Sequence, residues 1–138
     1  MAKLSRGIRN HNPGNIDYNP KNNWSGLLPP DPAIENRYCR FVSPVYGIRA
    51  MMKLLKTYQH QYGLKTITDL IKQCAPAGEN DTAAYIQHVA ELLKISPNEA
   101  LNLDDKATMI TLTKAIIQHE NGQQPYHNDI FNTAFNLL

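Results

Sequence analysis

The sequence is poor in the features that most often announce a function. Its 138 residues include two cysteines, one tryptophan and three phenylalanines. Cys39 and Cys74 lie far apart, so no disulfide framework is indicated, and free, mostly buried thiols are expected. Charged residues make up 19% of the chain and the formal net charge is +2, which makes no strong case for nucleic acid as a partner. No apolar run is long enough to span a membrane. The stretch from Met1 to Gly7 lacks the apolar core of a signal peptide. The expectation is synthesis in the cytoplasm, with any action elsewhere requiring delivery. The histidines His11, His60, His88, His119 and His127 lack zinc-ligand spacing, and Gln123 stands where a zincin motif begun by His119-Glu120 needs its second histidine. Glycine-rich phosphate loops and G-x-S-x-G elbows are absent. No metal or cofactor is therefore expected, and neither cysteine sits in the local signature of a nucleophile.

What is present reads as a mainly α (α+β) domain. At 42% hydrophobic residues, a chain of this length is expected to be one domain with a real core. Residues 1–43 are rich in Pro, Asn and Gly and read as a loop and hairpin region, with Asn36 to Val42 alternating like a strand. Residues 44–138 read as helical. Ser43 caps and Pro44 opens a helix that Gly63 stops, with Ile48, Met51, Met52, Leu55, Tyr58 and Tyr62 inward. Thr66 caps a helix carrying Ile67, Leu70, Ile71 and Cys74. Ala75 to Gly78 breaks the chain. Asn80 or Asp81 caps a helix with Tyr85, Ile86, Val89, Leu92 and Leu93 inward. Ser96 to Glu99 reads as a capping box opening a helical turn. Asp104 or Asp105 starts the helix ending at Glu120, and a last helix from about Asn128 buries Phe131, Ala134, Phe135 and Leu138.

Glu120 draws the eye because Met109, Leu112 and Ile116 form an apolar stripe whose next position it occupies. Asn121-Gly122 then stops the helix. Partial burial and the negative helix end are both expected to raise its pKa, the condition of a glycosidase general acid. The plainer reading is a solvated carboxylate at a helix end.

Four segments resemble a family of small phage and prophage proteins described as virion or structural proteins, with a lysozyme-like fold. They are Arg6-Gly7-Ile8-Arg9-Asn10-x-Asn12-Pro13-Gly14-Asn15-Ile16, Phe41-x-Ser43-Pro44-x-Tyr46-Gly47-Ile48-Arg49-Ala50, Glu79-Asn80-Asp81-Thr82-x-x-Tyr85-Ile86 and His119-Glu120-Asn121-Gly122. The order Asn12 to Ile16, Trp24-Ser25-Gly26, Tyr38 to Phe41 and the helix from Pro44 is similar to flagellar-type glucosaminidases and related lysozyme-like enzymes. Their leading Glu-bearing helix is missing at the front here, and a Glu-Asn-Gly helix stands at the back. A circular permutation reconciles the two, since domain termini often lie close together. Asn121 departs from the Ser of the enzymes.

The resemblance implies cleavage of the glycan strand of peptidoglycan, by a muramidase or a lytic transglycosylase route. Glu120 would be the acid. Glu35 is the candidate second carboxylate, against an exposed loop residue as the alternative, and Glu79 competes, against a structural role at a helix start. For a saccharide, the candidate stacking residues are Tyr18, Trp24, Tyr46 and Tyr126, unless they are core. Asn12, Asn15 and Asn121 are candidate partners for acetamido groups, unless they serve turns. Arg49 is a candidate for a peptide-stem carboxylate. The expected partner is bacterial peptidoglycan at the periplasmic cell wall, with a virion, secretion-system or immunity protein also open. A non-catalytic virion or peptidoglycan-binding protein of the same shape is the alternative function.

Overall fold

The computed structural model describes residues 4–74 and 82–138. Among them, six helices follow in order: α1 Arg6–Arg9, α2 Pro44–Tyr62, α3 Ile67–Cys74, α4 Thr82–Leu93, α5 Lys106–Asn121 and α6 Asn128–Asn136. The caps explain most boundaries. Pro44 holds the first position of α2, and Gly63 closes it in the left-handed region at φ 68, as the sequence suggests. Thr66 Oγ1 accepts the Asp69 N–H at 3.1 Å ahead of α3. Of the two candidates for α5, Asp105 is the cap, accepting from the Thr108 amide at 3.0 Å. Thr66→Ala should cost about 1 kcal/mol in urea unfolding, and a loss confined to a few tenths would show that the cap is idle.

α2 organises the molecule. One face buries Ile48, Met51, Met52 and Leu55 against Leu70 and Ile71 of α3, Val89 of α4, Leu112 and Ile116 of α5 and Phe131 of α6. Its Ala50, with Tyr46 and Leu54, packs instead on a smaller core made by Ile16, Cys39 and Phe41 of the N-terminal region. Both cysteines are free, Cys39 buried and Cys74 half-buried.

The mainly α class is as expected, but the N-terminal hairpin is not formed. Among the described residues there are isolated antiparallel bridges, Asp17 with Tyr38 and Leu27 with Phe41, and no strand. The reason lies in how residues 37–42 spend their backbone groups. Arg37 and Cys39 pair with residues 16–18, through Tyr18 N–H to Arg37 O and Cys39 N–H to Ile16 O, both 2.9 Å. Arg40 and Val42 face the other way, toward Leu28 and Gly26, and the Phe41 N–H reaches Asn10 O at 3.0 Å. An extended segment alternates the direction of its hydrogen bonds, so this one serves partners on both sides and builds a ladder with neither.

Four other expectations change. Arg6–Arg9 forms a single helical turn, capped by Ser5, where only turns are expected. Tyr62 is 68% exposed and Leu92 49% exposed, so neither points inward, although Leu93 at the end of α4 does pack on the core. Ser96 to Glu99 folds as a turn, with the Asn98 N–H on Ser96 Oγ at 3.3 Å, and opens no helix. The expected break at Ala75 to Gly78 and the caps Asn80 and Asp81 lie outside the described residues.

Candidate functional site

Glu120 sits half-buried in the last turn of α5, one position before the final helical residue Asn121, and Gly122 closes the helix at φ 72. Met109, Leu112 and Ile116 beneath it are fully buried, so the carboxylate does continue the apolar stripe. Its neighbours come from three elements. Burial pushes the Cys74 thiol up to about 12, and the nearby Glu120 charge adds to that. The Tyr85 phenol is also raised by burial first, then by Cys74 and Glu120. The Tyr85 ring stacks on His119 with centroids 3.8 Å apart, and burial lowers the His119 pKa by disfavouring the charged imidazole. Tyr85 Oη and His119 Nε2 are buried without a hydrogen-bond partner among the described residues.

Asn121 fastens this helix end to the front of the chain. Its amide donates to Pro13 O at 2.9 Å and Ile117 O at 3.0 Å, and its oxygen accepts the Ser5 hydroxyl at 2.6 Å. The end of α5 is thus stapled to the cap that precedes α1 and to the turn that follows it. Asn12 is fully buried inside that turn. Its amide donates to Ile16 O and Cys39 O at 3.1 and 3.0 Å, and its oxygen accepts the Ile16 N–H at 3.0 Å. With both amide hydrogens donated internally and no exposed surface, Asn12 braces the fold and faces no ligand. Asn15 adopts φ 50, and its buried side-chain oxygen has no partner among the described residues.

Glu35 is equally committed. Arg6 grips it in a two-pronged ion pair, Nε to Oε1 at 2.7 Å and Nη2 to Oε2 at 2.6 Å. Asn10 Nδ2 adds a bond at 2.9 Å, and the Arg37 and Tyr38 amides each reach Oε2 at 2.8 Å. The residue is only 7% exposed. The Arg6 bonds, helped by these other donors, hold the carboxyl far below the usual carboxylate range. Such a group stays ionised and has no accessible lone pair to act as a base. It clamps α1 to the segment before residues 37–42. The sequence gives no sign of this, because Arg6 is 29 positions away.

The remaining candidates are dispersed. Tyr18 is part of the rim of a depression of about 260 Å³ that also touches Glu35 and Arg37. Trp24 packs on the small core with its Nε1 buried and unpartnered among the described residues. Tyr126 is half-buried, edge-on to Phe131 at 6.3 Å. Tyr46 and Arg49 share a separate groove of about 550 Å³ with Gly26 and Leu137. Glu79 lies outside the described residues. No His, Cys, Asp and Glu cluster able to hold a metal occurs among the described residues, and no helix among them is long and apolar enough to cross a membrane. The positioning groups that the sequence did not mark as functional are Ser5, Arg6, Asn10, Tyr85 and His119.

No protein-family model matches the chain. Protein P5 of Pseudoalteromonas phage PM2 is 39% identical over 139 aligned residues, spanning 98% of this chain and 82% of the relative. The chain belongs to the family of phage PM2 protein P5. The kinship to phage proteins implied by the four sequence segments is therefore correct at that level. In this P5-family chain the Arg6–Glu35 clamp and the Asn121 staple both fasten α1, which gives the four-residue helix the tertiary anchors that so short a helix needs.

Proposed function

We propose that this chain is a structural protein of a phage particle, a helical module whose role is to hold neighbours in place. Membership of the P5 family supports a phage role. The observation that carries the structural reading is the fate of the polar side chains: Asn12, Glu35 and Asn121 are spent on internal hydrogen bonds. A site that grips and turns over a sugar keeps such groups facing the ligand. Deleting the gene from the phage that encodes it should lower the yield of intact particles. Normal particles at normal yield would refute the structural role.

One observation favours a second reading, glycan cleavage by Glu120. The α5 end lies against the Asn12–Asn15 turn through the Asn121 staple, the junction that a circularly permuted lysozyme-like fold requires. Because Glu35 is locked to Arg6, this reading works best with a single acid/base, the lytic transglycosylase route in which the sugar's own hydroxyl closes an anhydro ring. Glu120 would donate its proton to the glycosidic oxygen as the bond breaks, and its carboxylate would then take the proton of the attacking sugar hydroxyl. Purified peptidoglycan digested by the wild type should then release anhydro-ended fragments, and Glu120→Gln should lose at least about 100-fold of that rate. Equal release by both proteins, or none by either beside a working control enzyme, removes the reading.

A further inference from the structure

The groove that holds Tyr46 and Arg49 belongs to neither the Glu120 neighbourhood nor the Glu35 clamp. Ser25, Gly26, Val42, Tyr46, Arg49 and Leu137 line it, and it encloses about 550 Å³. Two aliphatic side chains of its mixed lining are open to water: Val42 is 53% and Leu137 43% exposed. Its floor is fixed. Gly26 has φ +74, and a Cβ there would lie 2.4 Å from Tyr46 Cγ, so the Tyr46 ring rests directly on the glycine. That contact covers part of the ring a sugar would need for stacking.

The charge is one-sided. Arg49 is the single ionisable cation of the lining, and the lining has no acid. Arg6 pairs with Glu35 and Arg37 with Asp17, but Arg49 makes no ion pair among the described residues. Its Nε donates to Leu137 O at 3.0 Å. That bond ties the guanidinium to the groove wall and leaves its terminal amino groups available for a planar acceptor. Two exposed aliphatic side chains beside one uncompensated guanidinium call for an apolar group next to a single carboxylate. A nucleic-acid backbone would call for several cations.

We propose that this groove docks a short segment of another protein of the phage particle, one that places an apolar side chain next to an acidic one. That the source is a particle protein rests on the structural role proposed above. The chemistry of the ligand rests on the groove alone.

The test is an NMR titration of the 15N-labelled protein with two peptides, acetyl-Leu-Glu-Leu-amide and acetyl-Leu-Gln-Leu-amide. The Glu peptide should shift the amides of Gly26, Val42, Arg49 and Leu137, and the Gln peptide should bind about tenfold more weakly. Arg49→Gln should bring the two affinities together. Because Arg49 also bonds Leu137, a second variant guards against a folding effect. Leu137→Glu, at an exposed position, should weaken the Glu peptide while leaving the thermal melt unchanged. Equal affinities for both peptides in the wild type, or shifts outside the groove, would overturn the proposal. Shifts of the same amides on raising protein concentration without peptide would assign the groove to a second copy instead. Tighter binding of a soluble peptidoglycan stem peptide would assign it to the cell wall. Peptide binding is read without particles, so its failure is distinct from failure of the structural role.

Discussion

Gly47→Ala is expected to destabilise the protein by about 3 kcal/mol or more, visible as a large drop in Tm by circular dichroism. Gly47 lies in the first turns of α2 and is buried. A Cβ built there would stand 1.8 Å from His11 O and 2.9 Å from the His11 carbonyl carbon. Those are backbone atoms, so no rotamer change relieves the clash. The 10–16 turn would have to lift off α2, and His11 already sits in the left-handed region at φ 54, with little freedom to adjust. Lifting the turn breaks the Asn12 hydrogen bonds and opens the small core around Ile16 and Phe41. The glycine of the Tyr46-Gly47-Ile48 motif is thus a contact requirement between the front of the chain and its central helix. A Tm within about 2 °C of wild type would show that the turn yields easily and that the close approach has no energetic weight.

Glu35→Gln should cost about 2–3 kcal/mol at neutral pH. The cost reaches only the bottom of the range for broken buried ion pairs because the Arg6 side chain stays 42% exposed while that of Glu35 is 2% exposed. The amide keeps some of the hydrogen bonds but loses the charge that draws in Arg6, and its NH2 faces donors. The pH dependence gives a sharper signature. The folded-state pKa is depressed, so the stabilisation is complete above the unfolded value of about 4.3 and drains away as pH falls toward the folded value. The difference in stability between wild type and Glu35→Gln should be flat from pH 8 down to about 5 and shrink below about pH 4. A gap that widened on acidification would mean the carboxyl is protonated in the folded protein, as a general acid would be, and would dissolve the clamp.

The helices from Pro44 onward were legible because most carry an inward stripe and α2, α3 and α5 carry their own punctuation. Pro44 and Gly63 bound α2, Thr66 caps α3, Asp105 caps α5, and the stripe of Met109, Leu112 and Ile116 points inward as its spacing says. The front of the chain was less legible for a physical reason. Arg6–Arg9 is one turn long, too short for any periodicity, and it depends on Glu35 and Asn121 for support. The alternation in residues 36–42 was visible, but which segments would pair with it was not, and sharing its bonds among three partners left bridges where a hairpin was expected. The candidate site divides along the same line. The placement of Glu120 at a helix end follows from local pattern alone. The roles of Glu35 and Asn12 depend on partners brought in by the fold, so residues that looked available for chemistry turn out to be internal braces.

The most direct test of the structural role is quantitative mass spectrometry of gradient-purified particles from cells producing the phage that encodes this chain. The account predicts that the chain co-sediments with infectious particles at a fixed ratio to the major coat protein, and that the ratio survives a high-salt wash. A chain confined to the soluble fraction of the lysate, absent from particles that infect normally, would contradict it.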